Sequence, residues 1–371
     1  MRVLHIITDD NVGGAGILLS NLTAGLETRG ISCPVLLPRG SRLTGILKQS
    51  GAEVNEIDMT ERSFSPRDML RIAHEIKRFS PDAVHTHACL TGRIAARICG
   101  IKSIFNTRHC AWERREIGRL SLPMRMLYEA VTDMTVATAR AALSNLAQMG
   151  INMKKTTLIL NGAGRVKSPS PGAKERFLKK YGVPPNSFTV GMSARLSPEK
   201  GQEILICAAE KVISDGFNAV FILAGDGADE CRLKRLTLDK GLMGRIIFTG
   251  YISAIGEFYN SIDLHVNCSV GTETSSLSIS EAMSAGVPSV VSDFGGNTEL
   301  VADGINGLVF PSGNAGALAE RIERLISDPS ALHSLGDAAA KRYDESFSAE
   351  RMCAEYEKMY RATVGAKTQA L

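Results

Sequence analysis

Two glutamates, Glu273 and Glu281, stand eight positions apart in GTETSSLSISEAMSAGVPSVVS, residues 271–292. Ser276–Ala285 reads as a short helix, capped by Ser275 or Ser276, whose first N–H groups are then free to meet a ligand. A helix start attracts anions, so carboxylates beside one make most sense on neutral groups. Glu281, a turn into the helix, can accept from both hydroxyls of a ribose. Glu273, ahead of it, stands near a reacting sugar. Taken singly, either glutamate is as readily a capping or surface carboxylate.

A second constellation is Ser193-Ala-Arg195-Leu-Ser-Pro-Glu199-Lys200-Gly201. Arg195 and Lys200 flank a Ser-Pro-Glu turn just before a helix. A planar, bidentate donor and a point charge beside a helix N-terminus suit a diphosphate. At the carboxyl edge of a strand in a doubly wound sheet, where ligands bind, this reading outweighs solvated loop charges. A third is the loop Val12-Gly13-Gly14-Ala15-Gly16, which lets backbone N–H groups approach an anion. It is not a dinucleotide fingerprint: Leu19 stands where G-x-G-x-x-G needs its last glycine, and the second strand ends in Leu37-Pro38-Arg39 without an acidic residue for a ribose. A nicotinamide enzyme fits poorly. A fourth is RHCAWERREIGRLSLPMR, residues 108–125, where Arg108, Arg114, Arg115, Arg119 and Arg125 share a stretch with Trp112, Ile117 and Leu120. It reads either as a solvated helix face or as a surface for anionic lipid headgroups or a lipid-diphosphate acceptor.

These residues need a scaffold that turns strand ends into loops. In the first half Val3–Ile7, Val35–Leu37, Ala83–His85, Ser103–Asn106 and Met134–Ala137 read as strands, with a helix from the glycine loop to Gly30 and another over Met69–Phe79. Residues 162–173, GAGRVKSPSPGA, read as a linker. The rhythm restarts with Thr189–Met192, Val220–Ala224, Ile246–Phe248, Leu264–Val266, Ser289–Val291 and Leu308–Val309. Strands alternating with helices imply right-handed β-α-β units and parallel sheets. A length of 371 residues suits two such domains. The final helix, near Ala349–Thr363, carries Met352, Tyr356, Met359 and Tyr360 on one stripe; periodicity leaves open whether it packs on its own domain or returns to the first.

Composition sets limits. At 44% hydrophobic and 5% aromatic residues the cores are aliphatic. A net charge of +4 is too mild to argue for nucleic acid. The eight cysteines are scattered without a C-x-x-C pair, as expected for reduced thiols in a cytoplasmic protein. The apolar run at Met1–Thr8 is too short for a signal peptide, and no segment approaches a membrane span.

In their order and spacing the motifs resemble the family 4 retaining glycosyltransferases of the GT-B fold, over nearly the whole chain. The family's E-x7-E pair is Glu273 and Glu281, and its Arg-x4-Lys pair is Arg195 and Lys200. Thr157-Leu-Ile-Leu-Asn161-Gly162 resembles its interdomain segment, and Phe248-Thr-Gly250-Tyr251 its nucleobase turn. The resemblance implies an α/β fold of two Rossmann-like, doubly wound domains facing a cleft: an acceptor-binding domain over 1–165, a nucleotide-sugar domain over 166–345, and a C-terminal helix, 346–371, crossing back.

The same resemblance implies roles. Arg195 and Lys200 neutralise the departing diphosphate, Glu281 holds the ribose, and Glu273 contacts the donor sugar with His109, in Asn106-Thr-Arg-His109; His87 is a second match. Tyr251 lies at the nucleobase, Thr274, Ser275, Ser276 and Leu277 present N–H groups to the donor, and Gly14 lets acceptor or β-phosphate approach. Thr274-Ser275-Ser276 replaces a glycine-rich stretch common in the family, which bears on the choice of sugar. Gly164 stands where an aspartate often follows the interdomain segment. Related folds that use Mg2+ do so through an Asp-x-Asp pair, which this chain lacks, so metal-independent transfer without a cofactor is expected. The implied activity moves a hexose-type sugar, with retention, from a nucleotide-diphosphate sugar to a glycan or lipid-linked acceptor in cell-surface polysaccharide synthesis. The implied location is the cytoplasm, peripheral at the inner face of the plasma membrane. Rival readings are a nucleotide-sugar 2-epimerase of similar architecture and a non-catalytic nucleotide-sugar binder.

Overall fold

The computed structural model describes residues 1–8, 14–60, 64–109, 119–271 and 273–369, with side chains described to residue 366. The chain divides into two compact units, Met1–Ala163 with Ala349–Leu371, and Gly164–Ser348.

The first unit is built on seven parallel strands: β1 (Val3–Ile7), β2 (Val35–Pro38), β3 (Val54–Ile57), β4 (Ala83–His87), β5 (Ser103–Arg108), β6 (Met134–Ala137) and β7 (Thr156–Leu158), ordered β3-β2-β1-β4-β5-β6-β7. The central strands β1 and β4 are buried along their whole length, as parallel strands covered on both faces must be. Leu4, Ile6, Leu36, Val84 and Ile104 form their aliphatic core. Two strands lie outside the sequence expectation. β3 and β7 are the sheet's edges, only half-buried, and VNEI and TTL contain no apolar run to betray them.

The second unit holds six parallel strands: β8 (Phe188–Ser193), β9 (Ala219–Ala224), β10 (Ile246–Gly250), β11 (Leu264–Asn267), β12 (Ser289–Ser292) and β13 (Gly307–Phe310), ordered β10-β9-β8-β11-β12-β13. Val190, Phe221, Leu264 and Val290 centre its core. In both sheets strand order reverses once, between β1 and β4 and between β8 and β11. Crevices at the carboxyl ends of such strand pairs are where open α/β sheets bind ligands.

The C-terminal helix, Ala349–Gln369, is part of the first unit. It buries Met352, Cys353, Tyr356 and Tyr360 and lies along the helix Gly14–Glu27. The Gly162 N–H meets Met352 Sδ at 3.3 Å, and Arg29 pairs with Glu357 at 3.1 Å. The buried stripe includes Cys353, while Met359 is half-buried. No helix among the described residues is long and apolar enough to cross a membrane.

Candidate functional site

Two loops at the second switch point carry the charged residues. After β8 the chain makes a single 3-10 turn, Pro198–Lys200, and enters the helix Gln202–Ser214. After β11 it runs through residues 268–276 into the helix Leu277–Ser284. Backbone bonds join the loops: the Glu199 carbonyl accepts from the N–H groups of Val270 and Gly271 at 2.9 and 3.1 Å. Gly271 permits that approach, since a Cβ there would come within 2.3 Å of the Glu199 Cβ.

The side chains then cross-pair. Lys200 Nζ donates to Glu273 Oε2 at 2.7 Å, and the Ser269 hydroxyl donates to the same oxygen at 3.0 Å. Glu273 is buried, and the Lys200 side chain is 22% exposed. Arg195 reaches Glu199 Oε1 at 2.9 Å but keeps 64% of its side chain exposed. Its backbone is anchored, its carbonyl accepting from Gln202 Nε2 at 2.8 Å. Lys200 and Glu273, seventy-three positions apart, thus form one ion pair, and Arg195 is the more accessible cation of the two.

Glu281 lies in a different environment. The half-buried carboxylate accepts from the Tyr259 hydroxyl at 2.8 Å. Because Tyr259 spends its proton there, Ser193 Oγ, 2.6 Å away, donates to the phenol oxygen. Burial pushes the Glu281 carboxyl up to about 7 against this hydrogen bond, which acts the other way. Ser276 occupies the N-cap position of Leu277–Ser284, but its hydroxyl does not cap. It accepts from Asn267 Nδ2 at 3.0 Å and pairs with Ser278 Oγ at 2.9 Å. The capping expected of Ser275 or Ser276 therefore gives way to a side-chain network. Asn267 Oδ1 accepts from the Ser269 N–H and from Asn297 Nδ2, and Ser292 donates to the Ser269 carbonyl. The Gly296 N–H donates to the Glu273 carbonyl at 3.2 Å, and a Cβ on Gly296 would stand 1.8 Å from the Thr274 carbonyl oxygen. Glu273 and Thr274–Leu277 are thereby held against the strand ends. Sequence reasoning missed Ser193, Tyr259, Asn267, Ser269 and Asn297. Only Gly295-Gly296, in FGGN after a predicted strand, offered a signal, as a place of close backbone approach.

Tyr251 follows β10 with its side chain on the surface, 62% exposed. Gly14 is the exposed first residue of its helix and has open space beside its Cα; Gly13 and the preceding loop lie outside the described residues.

The first switch point holds histidines. His5 on β1 faces His85 on β4 in register, with His87 two residues on and His109 just after β5. His5, His85 and His87 are fully or almost fully buried. His87 Nδ1 pairs with His109 Nε2 at 2.8 Å, and His5 Nδ1 with His87 Nε2 at 3.1 Å. His85 Nε2 meets Thr107 Oγ1 at 2.7 Å, and its Nδ1 meets the Tyr360 hydroxyl. The ligand nitrogens of His5, His85 and His87 lie within 4.8 Å of one another, close enough to consider a metal. Their rings, however, stack face to face at 4.8–5.4 Å, and every one of their nitrogens except the buried His5 Nε2 bonds to another of these imidazoles, to His109, to Thr107 or to Tyr360. The three imidazoles form a hydrogen-bonded stack.

Among the described residues of 108–125, the arginines do not share one helix. Arg108 closes β5 and is half-buried, Arg119 is exposed ahead of a helix, and Arg125 lies within that helix, folded back against Gly150. Arg114 and Arg115 lie outside the described residues, as do Trp112 and Ile117. The helix Leu122–Ala130 buries none of its residues, and Leu122 and Met126 are each 65% exposed.

Comparison with known proteins follows the same division of the chain. The family described as glycosyl transferases group 1 matches residues 173–342, and that described as Glycosyltransferase Family 4 matches residues 12–190. A putative glycosyltransferase of Bacillus subtilis, EpsD, is 27% identical over 81% of this chain and 83% of its own length. An Escherichia coli UDP-Gal:alpha-D-GlcNAc-diphosphoundecaprenol alpha-1,3-galactosyltransferase is 26% identical over 86% of this chain and 89% of its own. The crystal structure of Anabaena HepE in complex with UDP superposes with a TM-score of 0.83 at 22% identity, over 98% of this chain and all of that one.

Proposed function

Since the chain belongs to the family 4 glycosyltransferases of the GT-B fold, we propose that it moves a hexose-type sugar from a nucleoside diphosphate to a glycan or lipid-linked acceptor, with retention and without a metal. One observation carries this reading: Arg195, the Lys200–Glu273 pair and Glu281 share the carboxyl edge of the second sheet's switch point, with the loops that bear the first three joined by backbone bonds.

The division of labour follows from chemistry. As the bond from the anomeric carbon to the β-phosphate oxygen breaks, negative charge grows on the leaving diphosphate. Arg195 and Lys200 meet it, in a loop whose donors need little reorganisation. Lys200 is held by Glu273 before a ligand arrives, so the diphosphate shares an ammonium that is already placed. Glu281 accepts from the ribose hydroxyls, and Tyr251 offers a face to the base. Glu273 contacts the sugar, and Thr274, Ser275, Ser276 and Leu277 line its pocket. The acceptor oxygen bonds to the anomeric carbon on the face the phosphate leaves, and its proton passes to that phosphate. The HepE complex makes uridine diphosphate sugars the first donors to try.

The Escherichia coli relative acts on a sugar linked to diphosphoundecaprenol. That supports a lipid-linked acceptor and a role in polysaccharide synthesis, as do Arg119 and the exposed Leu122 and Met126, which suit peripheral contact with an anionic membrane. Vesicles of anionic lipid should sediment the protein at low salt, and Leu122→Glu with Met126→Glu should abolish it.

The donor site has a direct test. Arg195→Ala and Lys200→Ala should each lower transfer by about a hundredfold or more, the scale of losing one charge-stabilising donor. Wild-type turnover in both would sink the mechanism.

A further inference from the structure

A buried phenol carries one proton and two lone pairs, so its neighbours fix which way its hydrogen bonds run. Tyr259, the last residue of the helix Ile255–Tyr259, is fully buried within the second unit. Its hydroxyl lies 2.8 Å from Glu281 Oε2 and 2.6 Å from Ser193 Oγ. An ionised carboxylate can only accept. The Tyr259 proton therefore points at Glu281, and Ser193, at the end of β8, donates to the phenol oxygen behind it. Donors in a row strengthen one another. Glu281 Oε1 has no partner among the described residues and is open to solvent. One oxygen of the carboxylate is thus tied down and the other is presented.

The surroundings leave Glu281 as the group in this row that changes charge near neutral pH. Burial raises the Tyr259 phenol well above its ordinary value, so it stays a donor. His265 on β11, its ring 5.9 Å from that of Tyr259, is driven down to about 3 by burial and stays neutral. The cations of the neighbouring loop are engaged elsewhere, Arg195 with Glu199 and Lys200 with Glu273. What opposes burial at Glu281 is the Tyr259 bond. Without it the carboxyl would keep its proton at neutral pH and could no longer accept two hydroxyls.

We propose that Tyr259, backed by Ser193, is a positioning residue for the donor nucleoside: it ties Glu281 Oε2, keeps the carboxylate accepting, and leaves Oε1 to hold a ribose hydroxyl. This assignment rests on the ribose contact proposed above for Glu281, but the Tyr259–Glu281 link itself can be read without any ligand.

Uridine diphosphate is the probe, titrated calorimetrically into the full chain. Tyr259→Phe keeps the ring and removes the donor. Its affinity should fall about tenfold at pH 6, as the carboxyl moves up by about one pH unit and its ionised fraction drops. At pH 9, where the carboxyl ionises unaided, affinity should return to within about threefold of wild type. Ser193→Ala should lose about threefold at pH 6, with the same recovery. An equal loss at both pH values would mean that Tyr259 only packs, and would overturn the positioning role, as would wild-type affinity at both. In the free protein labelled with 13C-glutamate, the carboxyl signal missing from Glu281→Gln should titrate near 7 in the wild type and about one pH unit higher in Tyr259→Phe. An unchanged midpoint overturns the inference whatever the binding. Wild-type affinity in Glu281→Gln at every pH would defeat the ribose contact instead, leaving the carboxyl titration to judge Tyr259, so the two failures are distinguishable.

Discussion

The two sheets reverse their strand order at equivalent places, yet different chemistry stands there. At the reversal between β1 and β4, imidazoles are buried, neutral and bonded to one another through side chains that rise from the strands themselves. At the reversal between β8 and β11, ionised groups stand on loops beyond the strand ends and pair across them, Lys200 with Glu273 and Arg195 with Glu199. A charge that must meet a ligand has to remain partly in water, since a fully buried one would need a permanent partner. A neutral hydrogen-bonded network needs orientation more than solvation, and rigid strands supply it. The first region is a buried, neutral network, and the second presents charge at the strand ends.

That contrast orders the ways to break it. The largest effect should come from Lys200→Met, which removes a cation and strands the Glu273 carboxylate in a buried place; donor turnover should fall by about a hundredfold to a thousandfold, and a steady-state assay at saturating acceptor measures it. Near-normal turnover would mean that charge is not what the second region supplies.

Next comes pH. The Glu281 carboxyl is pushed up to about 7, above its ordinary 4.5, and in the proposed role only the ionised form would accept both ribose hydroxyls. Donor affinity should therefore weaken about tenfold per unit as pH drops below 7, by calorimetric titration, and Glu281→Gln should flatten that profile at a lower affinity. The stability effect runs the opposite way. Between about 4.5 and 7 the folded chain keeps a proton that the unfolded chain has lost, so stability falls as pH rises through this window and stays lower above it. At pH 8, Glu281→Gln should gain on the order of 2 kcal/mol in denaturant unfolding. A loss there would contradict the burial of this group.

A smaller change is expected in the first region. Tyr360→Phe removes the hydroxyl that meets His85 Nδ1 and should destabilise by about 1–2 kcal/mol through the buried nitrogen left unpaired, with donor affinity unchanged in the same titration. The smallest belongs to Glu199→Gln. The Arg195–Glu199 pair is largely exposed, and its loss should shift unfolding by less than about 0.5 kcal/mol while freeing Arg195 for the diphosphate.

What the sequence made legible was local. Arg195 and Lys200, or Glu273 and Glu281, are separated by a loop or a helical turn, so spacing alone placed them, and alternating apolar runs revealed the strands with buried faces. Contacts set by the register of distant strands were hidden. His5, His87 and His109 meet only because β1, β4 and β5 are neighbours, and Lys200 meets Glu273 only because β8 and β11 are. Tyr259 and Ser193 looked like ordinary core and strand-end residues until Glu281 stood beside them. The edge strands β3 and β7 were hidden for another reason: half-buried and only three or four residues long, they carry no apolar period to read.

The return of residues 349–371 to the first unit has a consequence for synthesis. The ribosome releases β1 through β7 long before Tyr356 and Tyr360 exist, so the nascent sheet waits with His85 and the helix Gly14–Glu27 uncovered while the second unit, contiguous in sequence, is made and can fold. The amino-terminal half of this enzyme is finished last, and a stop codon or a protease cut a few dozen residues from the end strikes the histidines encoded near the beginning.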